Sequence, residues 1–124
     1  MATSQCTETV SLIATAALSI YTFAKADTTA RQVVVADDET GVQYIVAQDV
    51  GAGEVVPLVK PDGCVAKITL GATLTPGVPV MPGTDGKAVA ATGVDAIWAG
   101  FLLEGGDADE IVEMIFSPLR GVSA

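Results

Sequence analysis

Ile97-Trp98-Ala99-Gly100-Phe101-Leu102-Leu103, then Glu104-Gly105-Gly106-Asp107-Ala108-Asp109, then Glu110-Ile111-Val112-Glu113-Met114-Ile115-Phe116: this stretch decides the fold class. Its two flanks are rich in the β-branched and aromatic residues that suit a pleated, half-buried surface, and its middle offers glycines for positive φ and carboxylates for a solvated tip. It reads as strand, turn, strand. The same punctuation spreads outward through the chain. Arg31 to Ala36, Val42 to Ala47, Glu54 to Val59, Val65 to Leu70 and Lys87 to Ala91 are further short Val- and Ile-rich runs. Turn chemistry divides them at Asp38-Glu39-Thr40-Gly41, Val50-Gly51-Ala52-Gly53, Lys60-Pro61-Asp62-Gly63 and Pro82-Gly83-Thr84-Asp85-Gly86. Short runs spaced roughly 8 to 12 residues apart predict an all-β fold, a small β-barrel or β-sandwich, rather than βαβ units.

An internal repeat supports this reading. Sliding the chain by 56 positions (68 minus 12) aligns residues 12–59 with 68–115 without a gap. Identities fall at Ala16/Ala72, Leu18/Leu74, Thr28/Thr84, Val33/Val89, Ala52/Ala108, Glu54/Glu110 and Val56/Val112. Conservative pairs such as Arg31/Lys87, Gln48/Glu104, Val55/Ile111 and Leu58/Met114 join them in one pattern: apolar strand, acidic or Gly-rich turn, Glu, apolar strand. The expectation is a single β-domain over residues 11–116, with two similar halves closed into one barrel. The repeat also settles Ser11 to Tyr21, whose Ala and Leu would suit a short helix. Its counterpart contains Leu74-Thr75-Pro76-Gly77, which cannot lie inside a helix, so strand and turn are expected in both halves. Residues 1–10 then form an extended, polar N-terminal arm and residues 117–124 a short tail, both candidate docking segments.

The chain has 124 residues, a length for one domain, and half of them are hydrophobic, more than a small monomer readily hides. Assembly into something larger is therefore expected. Six Lys and Arg stand against 15 Asp and Glu, a net charge of −9, which repels phosphate. Nucleic acid and anionic membranes are disfavoured as partners. Val10 to Ala24 is nearly uncharged and ends in Ala24-Lys25-Ala26, but no Lys or Arg precedes it. A signal peptide is not expected, and the stretch is too short to span a membrane. Cys6 and Cys64 lack metal-like spacing and read as free thiols in a reducing compartment.

Catalytic patterns are absent. With no histidine in the chain, imidazole-based triads and His metal sites are excluded. Gly83-Thr84-Asp85-Gly86-Lys87-Ala88 has the wrong glycine spacing for a phosphate loop and reads as a hairpin turn. The clusters Asp37-Asp38-Glu39 and Asp107/Asp109/Glu110 sit at turn positions without calcium-loop spacing. A biotin- or lipoyl-carrier barrel is unlike this chain, because Lys87 opens a strand instead of capping a hairpin. No catalytic, cofactor-binding or metal-ligating residue is assigned, and no cofactor or enzyme activity is expected. Trp98, the single tryptophan, reads as a core or barrel-end residue with an interface anchor as the competing role. In the tail, Leu119 and Arg120 are further interface candidates.

Taken together, Gly71-Ala72-Thr73-Leu74-Thr75-Pro76-Gly77-Val78-Pro79-Val80, Gly86-Lys87-Ala88-Val89-Ala90, Ala99-Gly100-Phe101-Leu102-Leu103-Glu104 and Asp109-Glu110-Ile111-Val112-Glu113-Met114 resemble the capsid decoration, or head cement, proteins of tailed bacteriophages. The likeness covers roughly residues 12–116, in pattern more than identity. It implies a structural virion protein made in the host bacterial cytoplasm and bound to the outer face of an icosahedral capsid, often as a trimer. Such a protein bridges neighbouring major capsid subunits and reaches them with its arm, here Ala2, Thr3, Ser4, Gln5, Cys6, Thr7, Glu8 and Thr9. The acidic charge agrees with an outer position, away from packaged DNA. Two other readings compete with it: a β-module binding a carbohydrate or small ligand near Trp98 and Tyr44, and another virion accessory of the tail or fibre.

Overall fold

The computed structural model describes residues 9–36, 44–60, 63–91 and 97–120, and among them every regular element is a β-strand. The strands β1 (Thr9–Ala14), β2 (Phe23–Ala26), β3 (Gln32–Val35), β4 (Tyr44–Val46) and β5 (Val55–Val59) form a closed barrel in the order β1-β3-β2-β4-β5. A second sheet, in the order β6-β10-β9-β7-β8, contains β6 (Cys64–Thr69), β7 (Pro79–Pro82), β8 (Ala88–Ala90), β9 (Ile97–Leu102) and β10 (Ile111–Arg120). The all-β expectation holds. The two halves do not pool their strands into one barrel, however, because each pairs its strands within itself.

Both halves are laid out alike. Adding 56 to the bounds of β2 gives those of β7, since 23 + 56 = 79 and 26 + 56 = 82. The same offset carries the loop bonds: the reciprocal pair between Leu18 and Val50 recurs between Leu74 and Gly106, all at 3.0 Å. Tyr21 N donates to Val46 O at 2.8 Å, and Gly77 N donates to Leu102 O at 2.8 Å. Even the left-handed backbone repeats, with Tyr21 and Gly77 at φ 60° and 84°, and Gly53 and Asp109 at φ 83° and 71°.

The halves differ at one seam. In the first, β1 runs parallel to β3 at Ile13↔Gln32 and Ala14↔Val33, and Ile13 N donates to Arg31 O at 3.0 Å. In the second, β6 and β8 meet only through the bridge Leu70↔Ala88. Thr69 N, the counterpart of Ile13 N, donates instead to Tyr21 O of the first half at 2.8 Å, and Phe23 N donates to Gly86 O at 2.8 Å. The first half thereby satisfies backbone groups that an open sheet edge would leave unpaired. Phe23 is fully buried with its ring 6.3 Å from that of Phe116, so it sits in the second half's core although it belongs to the first half's strand. Gly86 (φ +81°) permits this approach, because a Cβ there would lie 2.6 Å from Val35 Cγ2 and 3.1 Å from Phe23 O.

Several sequence expectations change. Thr9 and Val10 belong to β1, opposite Val59 and Leu58, so the strand takes two residues of the expected arm, and residues 1–8 lie outside the described residues. Residues 117–120 continue β10 rather than forming a tail, with Leu119 opposite Trp98 and Arg120 opposite Ile97. The register shifts between Phe116 and Leu119, at Ser117-Pro118, where proline has no N–H for the ladder. Strands β2 and β7 were not expected, since Ala, Lys and Pro weaken their β signal. The free-thiol reading is overturned: Cys64 is disulfide-bonded, and Cys6 is the only other cysteine in the sequence.

Candidate docking surface

The residues nominated from the sequence fall into three places. Ala2, Thr3, Ser4, Gln5, Cys6, Thr7 and Glu8 lie outside the described residues, whereas Thr9 is exposed at the start of β1. Trp98 on β9 and Leu119 on β10 occupy facing positions in one ladder, with Arg120 next along the strand, so the fold does bring these three together at one end of the second sheet. Asp37-Asp38-Glu39 lies outside the described residues.

The second acidic cluster is built into a turn. Glu110 Oε1 accepts from Asp107 N at 2.6 Å, as Glu54 Oε1 accepts from Gly51 N in the first half. Glu110 N in turn donates to Asp107 O at 3.1 Å, and Thr73 Oγ1 donates to Asp107 Oδ1 at 3.3 Å. Asp109 holds Lys87, whose ammonium lies 2.6 Å from Asp109 Oδ1 and 3.6 Å from Asp85 Oδ2. The hydrogen bond and charge of Asp109, aided by Asp85, raise the Lys87 pKa above its ordinary value. Gly83 N donates to Lys87 O at 2.8 Å and Gly86 N to Gly83 O at 3.0 Å, closing a hairpin turn between β7 and β8. These charges staple turns to one another, and among the described residues no group of three or more candidate ligands could hold a metal ion.

A cavity of about 170 Å³ opens at the seam between the halves. Tyr21, Ile45, Ala47 and Val59 line it from the first half, and Val65, Ala66 and Lys67 from β6. Five of these seven residues are apolar, and Tyr21 and Lys67 are the two that carry a polar group on the side chain. Tyr44, expected near a ligand site, packs against the first barrel's core instead. Tyr21 itself went unnoticed in the sequence. Its signal was the alignment of a tyrosine with Gly77, a position whose backbone needs positive φ.

Beyond the cavity, the described surface exposes five large hydrophobic side chains: Ile13, Val55, Phe101, Leu103 and Ile111. Ile13 and Val55 face one another across β1 and β5. Phe101, Leu103 and Ile111 belong to the second half.

No protein-family model and no curated protein matches the chain. Among solved structures, it is similar to the crystal structure of the head fiber gp8.5 N base of bacteriophage phi29, with a TM-score of 0.75 at 15% sequence identity. The similarity covers 94% of this chain and 98% of that one. At this identity the finding is one of fold, shared over nearly the whole of both chains.

Proposed function

We propose that the chain is a structural protein of a bacteriophage virion, carried on the outside of the head. The observation that carries the reading is the fold similarity to a head fiber base over nearly the whole of both chains. The net charge of −9 supports an outer position, because the inner face of a shell meets packaged DNA. In this reading the protein is a binding component and not an enzyme, and it needs no cofactor. It attaches to the major capsid protein, bridges neighbouring subunits, and stabilises the shell because it binds only the assembled geometry. It assembles as a homo-oligomer, with a trimer favoured, and contacts neither nucleic acid nor membrane. A second reading, in which the chain is the base of a fibre rather than a cement, is favoured by the description of its structural neighbour as a fiber base.

Purified virions of the encoding phage, analysed by mass spectrometry, test the reading directly. Cement predicts a copy number comparable to the major shell protein, a fibre base predicts a smaller one, and absence from virions overturns both. The arm is tested by deleting residues 2–8, which leaves β1 intact, beside a Cys64→Ser control for the lost thiol partner. Retained full occupancy on shells in a pelleting assay would remove the arm from the docking mechanism.

A further inference from the structure

The internal repeat gives each residue of the first half a counterpart in the second. In the first half, the outward row Phe23–Ile45–Val59 crosses β2, β4 and β5 in register. Its counterpart, 56 residues later, is Pro79–Phe101–Ile115 across β7, β9 and β10, also in register. The first row is covered: Phe23 and Ile45 are buried and Val59 packs against the second half's core. The second row is less covered: Phe101 is 43% exposed, and Pro79 and Ile115 are half-buried. Leu103, the residue just past the end of β9, is also 43% exposed, where the first half has the smaller Ala47. The row is continuous with the seam, because Ile115 faces Val65 on β6, and Val65 lines the cavity between the halves.

We propose that this outward face of the second sheet, centred on Phe101 and Leu103, is the surface by which the protein docks on its shell. The partner is a protein surface that presents apolar side chains flanked by Lys or Arg. Two observations select that occupant. The rim is acidic: Glu113 N lies 3.0 Å from Glu104 Oε1, which brings two carboxylate residues to the border of the face beside Leu103, and Leu103 N donates to Glu113 O at 2.9 Å. Lys67 stands opposite Glu113, on the seam side. A second copy is a poor fit, since it carries 15 acidic against 6 basic residues. The surface with which the second half covers Phe23 and Ile45 is moreover already occupied within each chain, so another copy has no free equivalent to offer. An aromatic at the centre of an apolar patch, with charges at the rim, is the arrangement in which the centre supplies affinity and the rim supplies steering and salt dependence.

The inference rests on the virion reading, and one experiment separates the two. Shells of the encoding phage prepared without this protein are incubated with wild type, Phe101→Glu and Leu103→Glu at several ionic strengths, and bound protein is measured after pelleting. Melting curves and sedimentation velocity of the free proteins run alongside. Wild type is expected to bind, more weakly as salt rises, and each variant to lose about tenfold or more in affinity with an unchanged melting curve. Should Phe101→Glu fail to fold, Leu103→Glu decides. Wild type that never binds overturns the virion reading, and this inference with it. Variants that bind as wild type does overturn the docking face alone. Variants that lose self-association while keeping shell binding do the same, because the face then belongs to a second copy.

Discussion

Gly100 is the residue at which the second sheet tolerates least. Its φ is +149°, and a Cβ there would lie 1.8 Å from Ile115 O on the neighbouring strand. Gly100→Ala must therefore push β9 away from β10, and the expected cost is at least roughly 3 kcal/mol, read as a lower midpoint in urea unfolding. Lys87 gives a milder, pH-dependent effect. Its pKa is raised in the folded protein by the Asp109 hydrogen bond and charge, so its stabilising contribution is fully present below the ordinary lysine value of 10.5 and is lost as pH rises through the higher folded value. The pair is at the surface and screened by salt. The melting-temperature difference between wild type and Lys87→Met should accordingly be small at neutral pH and vanish at strongly alkaline pH; a difference that grows there would contradict the assignment. Lys87 is legible in part: the sequence reads it as opening a strand, which begins one residue later at Ala88, but its partner Asp109 lies 22 positions away, beyond any local pattern.

At the scale of elements, the seam matters most. Phe23 sits on a four-residue strand of the first half and fills the second half's core against Phe116. Phe23→Ala is expected to cost about 3–5 kcal/mol, the range for deleting a buried aromatic ring. Because that ring anchors a strand of the first half in the core of the second, calorimetry should show one cooperative transition in the wild type and a separation or broadening of the transition in the variant. Strand positions in most of the chain followed from runs of Val and Ile, and β5, for example, was expected at Glu54 to Val59 and found at Val55–Val59. What propensity missed were β2 and β7, whose strand state comes from pairing on both sides rather than from their own residues.

For the whole molecule, the disulfide at Cys64 ties the start of β6 to a distant part of the chain, and Cys6 is the only other cysteine in the sequence. Cys64→Ser, or reduction of the wild type, is expected to remove about 2–4 kcal/mol by freeing the unfolded chain, seen as a lower melting temperature under non-reducing conditions for the variant alone. A melting temperature indifferent to reductant would contradict it. By itself the sequence determined the alternation of strand and turn, the doubling at a spacing of 56 residues and the lack of histidine chemistry, because these depend on residue type and on neighbours along the chain. Only the tertiary structure decided that each half pairs its strands within itself, that β6 and β8 share no ladder, and that one of two equivalent apolar rows packs against the other half while the other leaves Phe101 exposed. Phe23–Ile45–Val59 and Pro79–Phe101–Ile115 are alike in composition; which of them meets water is set by packing between the halves, and no local pattern carries that information.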